Sequence, residues 1–314
     1  MSKTCLYCYD ALTTERDFHH KCSLEFFGTS IAPELGYTHD QMAALAKNVV
    51  ERSIAVPGVQ PKLSMSLIHE EHDTPTNRLT VVGALGGNYI FKPPSDDFPE
   101  MPENEHVTMR IAEVFGIKTV PSSLIRLQYG ELSYITKRID RTTEGHKIHM
   151  LDMFQIIGAF DKYKSSMEKV GKALDTYSSH TLLDKLFLFE ITVFSFLTGN
   201  NDMHLKNFSM LKTENGWSLS PAYDLLNVAI VNPEDTEELA LTLFGKKKKL
   251  QRLHFEAFGE GLGLNSKQIT GVFNRFLKHK TQAITWLKNS FLSEDMKLAY
   301  IELFDARYER LYEA

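Results

Sequence analysis

The spacing of apolar residues changes period along this chain, and the change divides it in two. Up to about residue 137 the pattern is mainly that of strands. Leu63, Met65 and Leu67 alternate with Ser64 and Ser66, which puts the apolar side chains on one face of an extended segment. A second strand is predicted from Leu79 to Ala84, then a Gly-Gly turn at Gly86–Gly87 and a third strand over "NYIFK", together an antiparallel meander. "VPSSLIRLQYGELSYITKRIDR" predicts two more short strands around a turn at Tyr129–Gly130. Helices are predicted from His39 to Val50, with Met42, Leu45, Ala46 and Val49 on one face, and from Glu103 to Phe115 after a Pro-rich acidic loop. From Met150 onward the period is helical. Met150–Phe160, Leu182–Leu197, Ser266–Asn289 and Ser293–Tyr312 all read as helices, interrupted only by the strand-like runs "FSMLK" and "WSLSPAYD". The expected architecture is α+β and bilobal. Residues 1–30 form a Cys/His segment, 31–140 a β-rich N-lobe and 141–314 a mainly helical C-lobe, with a ligand-binding cleft between lobes of such different class.

The 314 residues carry a formal net charge of −5, so no overall positive field points to direct DNA binding. "MSKTCLYCYD" lacks the basic region and apolar run of a secretory leader. The most apolar window, Leu182–Leu197, contains Asp184, Lys185 and Glu190 and falls short of the ~20 residues that cross a bilayer. A cytoplasmic protein without membrane contact is expected. Its three cysteines are crowded near the start: Cys5, Cys8, His19 and Cys22 spell C-x2-C followed by H-x2-C. Short spacing within each half puts two ligands on one ion, and three thiolates with one imidazole suit a structural Zn²⁺. Reduced thiols beside an uninvolved histidine are the alternative, and the adjacent His20 is a competing ligand.

"GNNDMHLKNFS" (residues 199–209) follows the most apolar helix and concentrates polar side chains. Asp202 and Asn207 have the D-x4-N spacing of a kinase catalytic loop, in which the carboxylate takes or orients the proton of an attacking hydroxyl and the amide oxygen ligates Mg²⁺. After an intervening hairpin, "LSPAYDLLN" places Asp224 at the end of a short strand, where a second Mg²⁺ carboxylate is needed. His204 is expected to hold the loop by hydrogen bonding rather than to move protons. Lys206 either neutralises a transferring phosphate or faces solvent. In the N-lobe, "AVPGVQPK" has one Gly between two prolines and supplies backbone N–H groups near Val56, Gly58, Val59, Gln60 and Lys62 for phosphates, without being a Walker A or G-x-G-x-x-G loop. Lys92 ends "NYIFK" where a phosphate-binding lysine belongs, and Glu105 in "ENE" is its expected partner. Read singly, Lys92 is a solvated lysine, and the acidic residues suit the positive end of a helix dipole. Read in kinase order, they form an ATP site. "KKKK" (Lys246–Lys249) is read as a solvated loop, with docking to a tRNA-bound partner as a second use.

"PGVQPK", "YIFKPP", "ENE", "ITKRIDR", "GNNDMHLKNFS" and "PAYD" together closely resemble the HipA-type toxin serine/threonine kinases, from about Ser53 to the end of the chain. At this length the chain is similar to the short HipT-like members of HipBST-type toxin–antitoxin systems. The resemblance implies a protein-kinase-like fold using ATP and Mg²⁺. Asp202 would be the base, Asn207 and Asp224 the Mg²⁺ ligands and Lys92 the phosphate contact, with backbone groups over Lys137–Ile139 binding adenine. It also implies an aminoacyl-tRNA synthetase as acceptor (tryptophanyl- or glutamyl-tRNA synthetase), growth arrest and persistence. The implied neutralising partners are a HipB-like helix-turn-helix antitoxin and a small HipS-like protein. The family's regulatory serine position holds Ala55 here, so autophosphorylation, if present, is expected at Ser53. A small-molecule kinase of the same fold and a non-catalytic partner-binding module are the competing readings.

Overall fold

The computed structural model describes residues 3–52, 62–70, 76–82, 86–142 and 144–313. The chain forms two compact units, residues 1–106 with 120–146, and residues 107–119 with 147–314. Ser53, Ala55, Val56, Gly58, Val59 and Gln60 lie outside the described residues.

The first unit is built on a five-stranded antiparallel sheet. Its strands are β1 (Leu63–Glu70), β2 (Thr76–Val82), β3 (Tyr89–Lys92), β4 (Ser122–Arg126) and β5 (Leu132–Lys137), in the order β2-β1-β3-β5-β4. This corrects the meander expected from sequence, because β1 lies between β2 and β3 and pairs with both. Period-2 alternation fixes which face of a strand is buried but not which strands are neighbours. Leu63, Met65, Leu79 and Phe91 fill the buried face. Gly87 lets β3 start tight against β1: its φ is +75°, and a Cβ there would sit 2.4 Å from the Met65 carbonyl oxygen. Two helices precede the sheet, α1 (His20–Phe27) and α2 (His39–Arg52). Sequence periodicity missed α1, which spans only two turns and buries Cys22, Ser23, Phe26 and Phe27. The third helix, α3 (Met101–Val114), follows β3 in sequence.

The second unit is mainly helical: α4 (Met153–Ile157), α5 (Met167–Tyr177), α6 (Thr181–Leu197), α7 (Val228–Val231), α8 (Arg252–Gly261), α9 (Ser266–Asn289) and α10 (Glu294–Tyr312). It also holds a small antiparallel sheet of β6 (Met150–Asp152), β7 (Ser209–Thr213) and β8 (Gly216–Leu219), in the order β6-β7-β8. Its core centres on α6, every residue of which from Leu188 to Leu197 is buried. Phe194 packs edge-on against Phe115, Phe189 against Phe273, and Phe196 tilts onto Phe255. Each buried ring of this size contributes about 1.5–3 kcal/mol of apolar burial. Most polar residues of this helix find partners, whereas the buried Ser195 hydroxyl has none among the described residues. Thr192 Oγ1 donates to the Leu188 carbonyl, and Glu190 meets Arg275 at 2.6 Å.

Three further expectations change. Met150–Phe160 is not one helix: Met150–Asp152 pair with β7, and the Asp152 carboxylate then caps α4 by accepting from the Gln155 N–H at 2.8 Å. Helices α5 and α8 were not anticipated, although α5 has Ser166 as N-cap and a buried Met167, Val170, Leu174 stripe. Strand β8 stops at Leu219, so Asp224 lies beyond it in irregular backbone rather than at its end. Among the described residues no helix is long and apolar enough to cross a membrane.

Candidate active site

Helix α6 ends at a position suited to glycine. Gly199 has φ +69°, a Cβ there would sit 2.6 Å from Asn227 Oδ1, and its carbonyl accepts from Val228 and Ala229, each at 3.1 Å. The two asparagines that follow fasten the loop: Asn200 Oδ1 accepts from the Asp202 N–H at 3.3 Å, and Asn201 Nδ2 donates to the Glu237 carbonyl at 3.2 Å. Both are buried. The Asp202 carbonyl then accepts two bonds, from the His204 N–H at 2.7 Å and from Asn207 Nδ2 at 3.1 Å. The second bond orients the Asn207 amide. With Nδ2 committed to the loop, Oδ1 is left as a hard oxygen donor for a cation. Residues Leu205–Asn207 make a single 3₁₀ turn, closed by the Asn207 N–H on the His204 carbonyl at 2.9 Å.

His204 is buried, with its ring edge-on to Tyr163 at 5.1 Å. Its Nδ1 has no hydrogen-bond partner among the described residues, so the side chain packs rather than holding the loop by hydrogen bonding as the sequence suggests. Burial lowers its proton affinity below the usual histidine value, so the imidazole is neutral at neutral pH. Lys206 is exposed and lays its ammonium over the Phe154 ring at 5.0 Å. Two tyrosines that the sequence did not single out complete the arrangement. Tyr163 donates to Asp202 Oδ1 at 2.6 Å, and Tyr223 donates to the Lys206 carbonyl at 2.9 Å while accepting from Ser209 at 2.6 Å. Tyr223 thereby ties the residue before Asp224 to the residue before Asn207. The β7–β8 hairpin brings the same two segments together, closed by Ser220 N–H to the Ser209 carbonyl at 2.8 Å. Asp224 itself has φ +60°, a left-handed conformation uncommon outside glycine and one in which strain gathers at functional sites. An amide oxygen and a carboxylate held in this way suit Mg²⁺, which takes a few hard oxygen ligands and keeps waters.

In the first unit Lys92 ends β3 and is buried to 3% exposure, and its ammonium lies 2.6 Å from both oxygens of the equally buried Glu105. Beneath it sits the Tyr134 ring at 5.3 Å, from the residue paired with Lys92 across β3 and β5. Lys137 ends β5; its N–H donates to the Pro121 carbonyl at 3.0 Å and its side chain to the Glu25 carbonyl at 3.3 Å. Ile139 is half-buried, and Lys62 is exposed just before β1. Cys5, Cys8, His19 and Cys22 converge, while His20 is exposed at the start of α1. In the lysine run, Lys247 pairs with Glu237 at 2.9 Å and Lys248 bonds Thr236, so both engage their own unit.

Glu103, in the first turn of α3, has its carboxyl pushed up to about 7 by burial, with Glu100 adding to the shift. A raised carboxyl favours the folded state fully below the unfolded value near 4.5, and this contribution is lost as pH rises through about 7. Glu103→Gln is therefore expected to flatten stability between pH 5 and pH 8 and to raise it at pH 8 by about 1–3 kcal/mol. Urea unfolding at both pH values measures this, and an unchanged difference between them would refute it.

The sequence model of the HipA-like C-terminal domain family matches residues 54–284. The chain belongs to that family. Among its relatives, a putative kinase of Haemophilus influenzae is 28% identical over 76% of this chain and 75% of its own length. A putative kinase of Sinorhizobium fredii is 32% identical over 68% of this chain and 54% of its own length. The serine/threonine-protein kinase toxin HipA of Shewanella oneidensis is 25% identical over 74% of this chain and 56% of its own length. The chain thus spans three quarters of the first relative and little more than half of the other two. The HipA fold is shared in three dimensions as well. HipA of Shewanella oneidensis, solved with HipB and its operator DNA, superposes with a TM-score of 0.67 over 85% of this chain and 71% of that one, at 22% identity.

Proposed function

We propose that this chain is an ATP- and Mg²⁺-dependent protein serine/threonine kinase acting as the toxin of a HipBST-type toxin–antitoxin system. The observation that carries the proposal is the Asn207 amide. Its Nδ2 is bonded to the Asp202 carbonyl, so one short loop presents a carboxylate for a hydroxyl proton and an amide oxygen for a metal. Asp202 accepts the proton of the acceptor hydroxyl as its oxygen attacks the γ-phosphorus and the bond to the β–γ bridging oxygen breaks. Asn207 Oδ1 and the Asp224 carboxylate hold the metal, and Tyr223 keeps their two backbone segments in register. Bound Mg²⁺ supplies charge neutralisation on the phosphate oxygens. Neutral His204 packs its ring against Tyr163 and supports the loop through its main-chain bonds, and exposed Lys206 is free to swing from Phe154 toward phosphate. Lys92, oriented by Glu105, contacts the phosphates, and the backbone N–H groups of Val56, Gly58, Val59, Gln60 and Lys62 are proposed as further phosphate donors. The backbone over Lys137–Ile139 receives adenine. Ser53 is the site of any self-phosphorylation.

Family membership and the names of the relatives support kinase activity, and the HipB-bound HipA structure supports a HipB-like antitoxin partner. A HipS-like small protein is a further partner, and the proposed acceptor is an aminoacyl-tRNA synthetase, tryptophanyl or glutamyl. The test is brief induction of the wild-type chain and of Asp202→Asn in a bacterial host, followed by phosphoproteomics. Growth arrest with a new phosphoserine or phosphothreonine on a synthetase, absent with Asp202→Asn, is the expected result. Arrest that persists with Asp202→Asn, or label only on small metabolites, would overturn the protein-kinase reading.

A further inference from the structure

The turn from Cys5 to Cys8 is closed by the Tyr9 N–H on the Cys5 carbonyl at 3.0 Å and the Cys5 N–H on the Asp10 carbonyl at 2.9 Å, with Tyr9 at φ +62°. His19 is the N-cap residue of α1 but makes no side-chain cap bond. Its ring turns instead toward the cysteines, with Nδ1 lying 3.4 Å from Cys8 Sγ and 3.8 Å from Cys22 Sγ. The four ligand atoms, from Cys5, Cys8, His19 and Cys22, all lie within 4.8 Å of one another. A tetrahedral Zn²⁺ site with Zn–S near 2.3 Å and Zn–N near 2.0–2.1 Å has S···N edges of about 3.6 Å and S···S edges of about 3.8 Å, so these four atoms stand at coordination spacing. The second ring nitrogen decides the tautomer. His19 Nε2 lies 3.1 Å from the Ala11 carbonyl, which can only accept, so Nε2 carries the proton and Nδ1 presents a lone pair to the thiols. No open coordination position remains with three sulfurs and one nitrogen, which marks a structural rather than a catalytic ion.

We propose that Cys5, Cys8, His19 and Cys22 bind one structural Zn²⁺ that locks α1 onto the sheet of the first unit and thereby holds the end of β5. Cys22 sits in the first turn of α1, so the ion fixes that helix to the Cys5–Cys8 turn. From there the contacts run to the sheet. Phe26 and Phe27 pack on each other at 4.7 Å and on Tyr89 of β3 at 5.9 and 6.2 Å. The Tyr7 hydroxyl donates to Glu25 at 2.7 Å, and the Leu124 N–H of β4 reaches the Leu6 carbonyl at 3.4 Å. Lys137 closes the path, bonding the Glu25 carbonyl and lying over the Phe26 ring at 5.6 Å. An eight-residue helix gains little stability from its own hydrogen bonds, so a cross-link at its first turn is an effective way to hold it. This site does not depend on the kinase reading.

The test uses the full chain purified after growth in zinc-containing medium. Metal analysis is expected to find one equivalent of zinc per chain, and the same protein loaded with Co²⁺ is expected to show the strong visible absorption of a tetrahedral thiolate site. Cys8→Ser, at the least buried of the three cysteines, is expected to lose the metal, whereas His19→Cys, which keeps four ligands, is expected to retain it. Hydrogen exchange supplies a readout that needs no variant. Stripping the metal from the wild-type chain with a strong chelator is expected to speed exchange roughly tenfold over residues 20–27 and 132–138, to leave residues 188–197 of α6 unchanged, and to be reversed by adding Zn²⁺ back. Wild-type protein without zinc, Co²⁺ binding that survives Cys8→Ser, or chelation that leaves residues 20–27 and 132–138 unchanged would each overturn the proposal.

Discussion

Asp202→Asn is expected to lower phosphoryl transfer by roughly 10²–10⁴-fold while leaving nucleotide affinity within about threefold of wild type. The two side chains have nearly the same shape, so the loop should not move. Both bonds that organise it, from the His204 N–H and from Asn207 Nδ2, end on the Asp202 main-chain carbonyl and survive the substitution. The Tyr163 hydroxyl can still donate, to the asparagine Oδ1 in place of the carboxylate. What disappears is a group able to take a proton. Turnover and nucleotide binding measured on the same preparations separate the two effects. A variant within a few-fold of wild-type turnover would remove Asp202 from the chemistry. Loss of nucleotide binding in step with activity would assign it to the loop instead.

The second large effect lies in the first unit. Lys92→Met removes the ammonium that lies 2.6 Å from both oxygens of the buried Glu105 carboxylate and is expected to destabilise the protein by about 3–5 kcal/mol. Glu105 is 1% exposed, so water cannot substitute for the lost ammonium. Replacing both partners, as Lys92→Met with Glu105→Leu, removes the charges together and is expected to recover most of that loss, because a buried ion pair contributes little net stability over an apolar pair. Nucleotide binding should stay weak in the double variant. That combination, restored stability without restored binding, distinguishes a phosphate-contacting lysine from a purely structural ion pair. Denaturant unfolding of the three variants with nucleotide titration measures it. A double variant as unstable as Lys92→Met, or one that binds nucleotide like wild type, would contradict this role.

Features set by neighbouring residues were the legible ones. Asp202 and Asn207 share one loop, so their spacing alone implies that they meet, and Lys92 and Glu105 are separated only by a short connection. The buried face of β1 follows from the alternation of Leu63 and Met65 with serines. Strand order was not legible, because alternation assigns faces and not neighbours, and so β1 between β2 and β3 was unexpected. Tyr163 reaches Asp202 from a distant part of the sequence, through packing that no local pattern encodes, and its own surroundings are those of an ordinary polar loop. Tyr223 adjoins Asp224 in sequence, but its bond to the Lys206 carbonyl exists only because the β7–β8 hairpin brings the two segments together. The left-handed backbone at Asp224 is a property of one torsion angle and leaves no trace in composition. The choice of His19 over His20 needed the turn at Tyr9 and the start of α1, which together face one ring to the thiols and the other to solvent.

The measurement that bears most directly on the central claim is transfer of the γ-phosphate of ATP to protein by the purified full chain, with a bacterial extract as the source of acceptor. Label on serine or threonine of a protein is expected with Mg²⁺ and wild-type chain, and is expected to vanish when Mg²⁺ is chelated or when Asp202→Asn or Asp224→Asn replaces it. Label that survives both substitutions, or a wild-type chain that transfers none in the presence of Mg²⁺, would contradict the assignment of this loop to phosphoryl transfer.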